Sequence, residues 1–158
     1  MNRSKIDPIT YQKKGEQMRI PIRKTHAVVD LDAVEHNIHT LWDRAGREKG
    51  YIVLLKADAY GHGSVAVAKL AEEMGVFAGG VAALEEVEYL RSNGIHLPLF
   101  LLEDLFYDEI APALERNVKF SVSTVEYAEE LNKIAEKMHT TATVHVNIDT
   151  GMGRMGMQ

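Results

Sequence analysis

The chain has 158 residues, 46% of them hydrophobic and 26% charged, with no cysteine and a formal net charge of −5. That length suits one domain of the usual ~100–200 residues. The composition excludes a disordered or collagen-like chain, and the missing cysteines exclude a disulfide scaffold and thiol catalysis. No apolar run reaches the ~18–20 residues of a membrane helix, and no signal-peptide pattern follows the basic N-terminus, so a soluble, cytoplasmic protein with no membrane partner is expected. A pI near 5.8 argues against a nucleic-acid partner.

Residues 1–25 carry Arg3, Lys5, Lys13, Lys14, Arg19, Arg23 and Lys24 against Asp7 and Glu16, which predicts a solvated, flexible basic leader. From 26 to 158 the chain alternates between strand-like and helix-like segments. His26–Leu31 is apolar and β-branched. Asp32 with Glu35 has capping-box spacing, ahead of Val34, Ile38, Leu41, Trp42 and Ala45 on one helical stripe. Tyr51–Lys56 has the pattern of a buried strand. Ser64 is placed to cap a helix with Val67, Leu70, Ala71 and Met74 on one face, and Gly75 to end it.

Phe77–Val81 predicts a short strand with two glycines, followed by a helix through Leu84, Val87 and Leu90 that stops near Gly94. Pro98–Leu102 predicts another strand and Tyr107–Glu115 a proline-interrupted helix. Val118–Val122 reads as a strand. Ser123 with Glu126 has capping-box spacing before the stripe Tyr127, Leu131, Ile134, Ala135 and Met138. Thr141–Ile148 is a last strand. Strands alternating with helices predict an α/β fold with a parallel sheet, because parallel strands need crossover connections. An open five-stranded sheet and part of a closed eight-stranded barrel, which takes ~250 residues, both satisfy this pattern. The chain stops directly after a strand and a glycine-rich turn, so a truncated domain is expected.

Two blocks carry chemistry. In Lys56-Ala57-Asp58-Ala59-Tyr60-Gly61-His62-Gly63, a lysine follows four apolar residues, so its stem leaves the C-terminal end of a buried strand, where parallel α/β folds place their sites. An amine with its stem in an apolar wall loses solvation of its charged form and gains nucleophilicity, which suits a Schiff base to an aldehyde cofactor. Tyr60 offers a hydroxyl for a phosphate, and Gly61 and Gly63 supply a close turn. A snorkelling lysine beside a loop is the plainer alternative. The second block, Asn147 through Gly156, contains G-x-G-x-x-G. As a dinucleotide fingerprint it is weak, because Arg154 stands within the tight turn, where that fingerprint favours small residues. It reads better as a glycine-rich loop presenting Arg154, whose guanidinium suits a carboxylate or phenolate.

Together the two blocks resemble the alanine racemase family, and the resemblance runs from His26 to the end, including Asp30-Leu31-Asp32 and Asn37. It implies a (β/α)8 barrel followed by a mostly β C-terminal domain. About five barrel strands are expected here, from Tyr51–Lys56 to Thr141–Ile148, with the C-terminal domain absent. It implies a homodimer using pyridoxal 5′-phosphate to interconvert L- and D-alanine, which supplies D-alanine for peptidoglycan. By the same resemblance Lys56 holds the cofactor covalently and is a base on one face of the substrate. Tyr60 bonds the cofactor phosphate, while Arg154 contacts its phenolic oxygen and orients the substrate carboxylate. The opposite-face base, a tyrosine of the partner subunit, and most of the phosphate cup are expected downstream of Gln158. The isolated 158-residue piece is therefore expected to be inactive.

Asn147 departs from many members, which carry there a carbamylated lysine that steadies the arginine. Asn cannot hold a carbamate, though its amide oxygen can accept a guanidinium N–H. Serine or another small amino acid is then an alternative substrate. The two blocks also leave room for a pyridoxal phosphate-binding module without turnover and, more remotely, for a nucleotide-binding domain. No metal is expected: His36 and His39 lack a third ligand, which zinc needs. His62 reads as a loop residue, and Glu85, Glu86 and Glu88 as a solvated helix face.

Overall fold

A computed structural model describes residues 9–13 and 26–158. Two short strands come first, β1 (Ile9–Gln12) and β2 (Ala27–Asp30), paired in parallel with Ile9 opposite Ala27. The stretch expected to be a solvated leader thus contains a strand. The alternating Ile9 and Tyr11 pack against the small core of Val29, Leu31 and Leu70, which offsets the entropy lost in ordering that segment. The rest of that stretch, 1–8 and 14–25, lies outside the described residues.

Helix α1 (Leu31–Ala45) follows, then β3 (Ile52–Leu54), the turn α2 (Lys56–Gly61), α3 (Ser64–Glu73), β4 (Ala78–Val81), α4 (Leu84–Ser92) and β5 (Leu99–Leu101). A 3-10 turn at Tyr107–Glu109 leads into α5 (Ile110–Glu115). The described chain then runs through β6 (Phe120–Val122), α6 (Val125–Lys137) and β7 (Val144–Val146). The expected alternation is present, with each barrel-type strand shorter than its apolar run. Among the described residues no helix is long and apolar enough to cross a membrane.

β3, β4 and β5 pair in parallel and in chain order, as do β6 and β7, and a single parallel bridge from Phe100 to Lys119 joins the two groups. Strand order therefore never reverses. A doubly wound sheet would reverse at a switch point, whereas a barrel wall advances strand by strand. Helix side chains Val67, Ala71, Val87, Leu90, Ile110 and Leu131 join one core with Val53, Leu55, Val81, Leu99, Leu101, Phe120 and Val122. These strand residues alternate, so the helices cover one face. On the other face Leu54 stays 44% exposed.

Each expected helix cap shifts by a residue or more. Asp30, not Asp32, caps α1, its carboxylate accepting from the N–H groups of Asp32 and Ala33. Ser64 is the first residue of α3, and its N–H donates to the Asp58 carboxylate at 2.7 Å. Thr124, not Ser123, caps α6 by accepting from Tyr127 N–H at 3.1 Å. In each case the extended residue adjoining the first helical turn holds the cap position, or a loop carboxylate supplies the acceptor, because a cap needs an oxygen in reach of the N2 or N3 donor.

Candidate active site

Lys56 stands two residues after the last residue of β3. The sheet ladder continues through Leu55, whose N–H donates to Gly80 O at 2.8 Å, but the Leu55 backbone is helical (φ −108°, ψ −11°), which ends the strand and starts a turn. Ala57, Asp58, Ala59 and Tyr60 then hold φ between 51° and 55°, one turn of left-handed helix. Non-glycine residues reach this region at a cost of roughly 1–2 kcal/mol each. Consecutive strain of that size persists only where surrounding bonds over-determine it.

Those bonds are present. Ala59 N–H donates to Leu55 O and Gly63 N–H to Asp58 O, each at 2.9 Å. Glu86 of α4 accepts Ala57 N–H at 2.6 Å on one carboxylate oxygen and Ala82 N–H at 2.8 Å on the other. His62 Nδ1 lies 3.0 Å from Ala59 O, in keeping with a loop role. Glu86 is therefore no member of a solvated acidic face: it ties the loop after β3 to the loop after β4. The sequence carried one signal for it, a Glu at the third position of a helix with no Ser, Thr, Asp or Asn ahead of it to cap the helix.

The turn leaves its side chains in different settings. Lys56 is 24% exposed at its side chain, and its ammonium pairs with Glu103, beyond β5, at 3.4 Å. The wall around the amine is thus not wholly apolar, as the sequence pattern implied. A half-exposed pair of this kind is worth about 0–1 kcal/mol and yields to a better partner. Tyr60 is 62% exposed, and its hydroxyl has no hydrogen bond among the described residues. Gly63 (φ 84°) has no room for a side chain, since a β-carbon would collide with the Tyr11 hydroxyl.

Arg154 is on the loop after β7, at the same C-terminal edge of the parallel strands as Lys56. The loop opens no helix. It turns back so that Met157 pairs with Ile148, with Met157 N–H donating to Asn147 O at 2.8 Å and Asp149 N–H to Met157 O at 2.9 Å. A β-carbon at Gly156 (φ 121°) would stand 2.7 Å from Asp149 N, so this return needs glycine. Asp149 accepts from Gly151 N–H at 2.9 Å and Gly153 N–H at 3.0 Å, and these donors, Gly153 foremost, hold its carboxyl below the usual range. The exposed Arg154 makes no hydrogen bond or ion pair among the described residues. Lys56 and Tyr60 share one turn. Neither touches Arg154.

Behind the loop, Asn147 Nδ2 donates to Ser123 Oγ at 3.1 Å. Nearby, burial pushes the Asp104 carboxyl above the usual range, with Ser123 opposing that shift. The Tyr127 hydroxyl accepts Leu105 N–H at 3.0 Å, and burial, with that bond opposing it, pushes the phenol up to about 12.

The chemistry of the residues present fits a pyridoxal phosphate group: Lys56 offers an amine, and Tyr60 and Arg154 offer donors that have no partner among the described residues.

The family model described as alanine racemase, N-terminal domain, matches residues 29–158. An alanine racemase of Desulforamulus reducens is 39% identical over 130 residues, which cover 82% of this chain and 35% of that protein. Among solved structures, an alanine racemase of Clostridium difficile superposes with a TM-score of 0.78 at 35% identity, covering 82% of this chain and 34% of that one. A histidine racemase of Leuconostoc mesenteroides gives 0.72 at 29% identity over 80% of this chain and 34% of its own. The chain thus spans about a third of the length of these relatives, and over that span it has their barrel-type α/β fold. On its two blocks and on 130 matched residues, the chain belongs to the alanine racemase N-terminal domain family.

Proposed function

We propose that this chain is the cofactor-holding part of a pyridoxal phosphate-dependent alanine racemase. The observation that carries the reading is Lys56 at a strand end, followed by a bonded left-handed turn that leaves Tyr60 free. Bound pyridoxal phosphate supplies a ring into which the charge of a deprotonated α-carbon spreads. Lys56 Nζ would hold the group covalently, and its amine would move the α-proton on one face of the substrate. The Tyr60 hydroxyl donates to the phosphate. Arg154 offers its planar fork to the phenolic oxygen and the substrate carboxylate, and Asp149 shapes the loop that presents it.

The family resemblance supports the wider reading: an eight-stranded barrel, a homodimer, a cytoplasmic site of action and D-alanine supplied for peptidoglycan. One observation favours a second substrate reading. The similarity to a histidine racemase, with Asn147 where many members carry a carbamylated lysine, leaves other amino acids as candidate substrates beside alanine.

The test is reduction with borohydride after incubation with pyridoxal phosphate, followed by peptide mapping. The pyridoxyl mass is expected on Lys56. Finding it on Lys49 or Lys69 instead would sink the assignment.

A further inference from the structure

Most bonds that shape the turn after Lys56 are local, made within Leu55–Ser64. The exception is Glu86, 29 residues away on α4. Ala57 N–H is the first amide after Lys56 and lies at the point where the backbone leaves the β3 ladder for the left-handed region. Among the described residues, Glu86 is the only side chain of another element that bonds the backbone between Ala57 and Tyr60. Its second oxygen takes Ala82 N–H, just beyond β4. A carboxylate suits the position because both neighbours are donors and a carboxylate only accepts.

We propose that Glu86 is a positioning residue for Lys56: by bridging Ala57 N–H and Ala82 N–H it fixes the left-handed turn, and with it the directions of the Lys56 amine and the Tyr60 hydroxyl. This rests on the cofactor-holding reading of Lys56. Glu86 touches neither cofactor nor substrate. It acts through the backbone that carries both side chains. Alanine favours the right-handed helix, so without the bridge the strained conformer competes with relaxed ones in which Lys56 points elsewhere.

The experiment uses the whole chain and two readouts, amide hydrogen exchange followed by NMR and the fraction of Lys56 trapped by borohydride with pyridoxal phosphate. Glu86→Gln keeps the shape but turns an NH2 toward one of the two donors. Exchange at Ala57 and Ala82 is expected to rise on the order of 10-fold or more, and the trapped fraction to fall several-fold. Glu85→Gln, on the exposed neighbour, should change neither. Ala57→Gly added to Glu86→Gln should recover part of the trapping, because glycine enters the left-handed region without steric cost. A merely structural role for Glu86 would show no such recovery.

Unchanged exchange or unchanged trapping in Glu86→Gln, or no recovery in the double variant, would overturn the proposal. If the unsubstituted chain traps nothing at Lys56, the cofactor reading falls. The exchange comparison needs no cofactor and still decides whether Glu86 holds the turn.

Discussion

Asn147 and Ser123 face each other across the ends of β7 and β6, with Asn147 Nδ2 donating to Ser123 Oγ at 3.1 Å. The direction of that bond follows from its chemistry: an amide nitrogen only donates, so the Ser123 oxygen accepts. The amide oxygen of Asn147 is left for another donor, the arrangement needed if it is to steady the Arg154 guanidinium.

Removing the donor should therefore cost a measurable amount. Asn147→Ala leaves the Ser123 oxygen without its side-chain partner in a buried position, with an expected loss of about 0.5–1.5 kcal/mol. Urea unfolding checks this. An unchanged midpoint would show that the bond contributes nothing in solution.

Tyr127 should ionise after the other tyrosines. Its phenol is pushed to about 12, above the ordinary 10, chiefly by burial. Below pH 10 both folded and unfolded chains keep the proton. Between pH 10 and 12 only the unfolded chain releases it, so stability contributed by the protonated phenol falls as pH rises through that window. Absorbance titration should show one late tyrosine, absent in Tyr127→Phe. That variant also strands the buried Leu105 N–H, at a cost of about 1–3 kcal/mol.

The Arg154 loop should loosen in acid. Amide donors hold the Asp149 carboxyl below its usual range, so its contribution is present above the ordinary carboxylate pKa and lost as pH falls through the lowered one. Amide exchange at Gly151 and Gly153, corrected for its intrinsic pH dependence, should lose protection across that fall. Asp149→Asn should show weak protection at every pH. Protection that does not vary with pH in the unsubstituted chain would count against the carboxylate as the loop's anchor.

Gly79 sits where β4 passes under the residue preceding Lys56. A β-carbon there would run into Leu55 Cδ1 and come within 3.2 Å of Leu97 Cδ2, both buried side chains. Gly79→Ala should overpack the core and destabilise by about 1–3 kcal/mol, seen as a lower thermal midpoint. A midpoint equal to that of the unsubstituted chain would mean that Leu55 can move aside, and that the strand end carrying Lys56 is less fixed than its burial implies.

Local pattern determined the α/β alternation, the apolar faces of α1, α3, α4 and α6, and the two blocks that place Lys56, Tyr60 and Arg154 at strand ends. Those features repeat over a few residues, so spacing alone encodes them. The tertiary structure alone decided the rest. Ala57-Asp58-Ala59 has no left-handed signature, since alanine is the best right-handed helix former, and the turn exists because Glu86 and Asp58 bond its ends. Ser123 has the spacing of a cap, yet Thr124 takes that role, and Ser123 is held instead by Asn147, 24 residues away. β1 lies in a stretch whose composition reads as a leader, and it is ordered by apolar contacts with β2, α1 and α3. Glu86, Asn147 and the partners of β1 all belong to other elements, distant in sequence, so no local pattern could signal them.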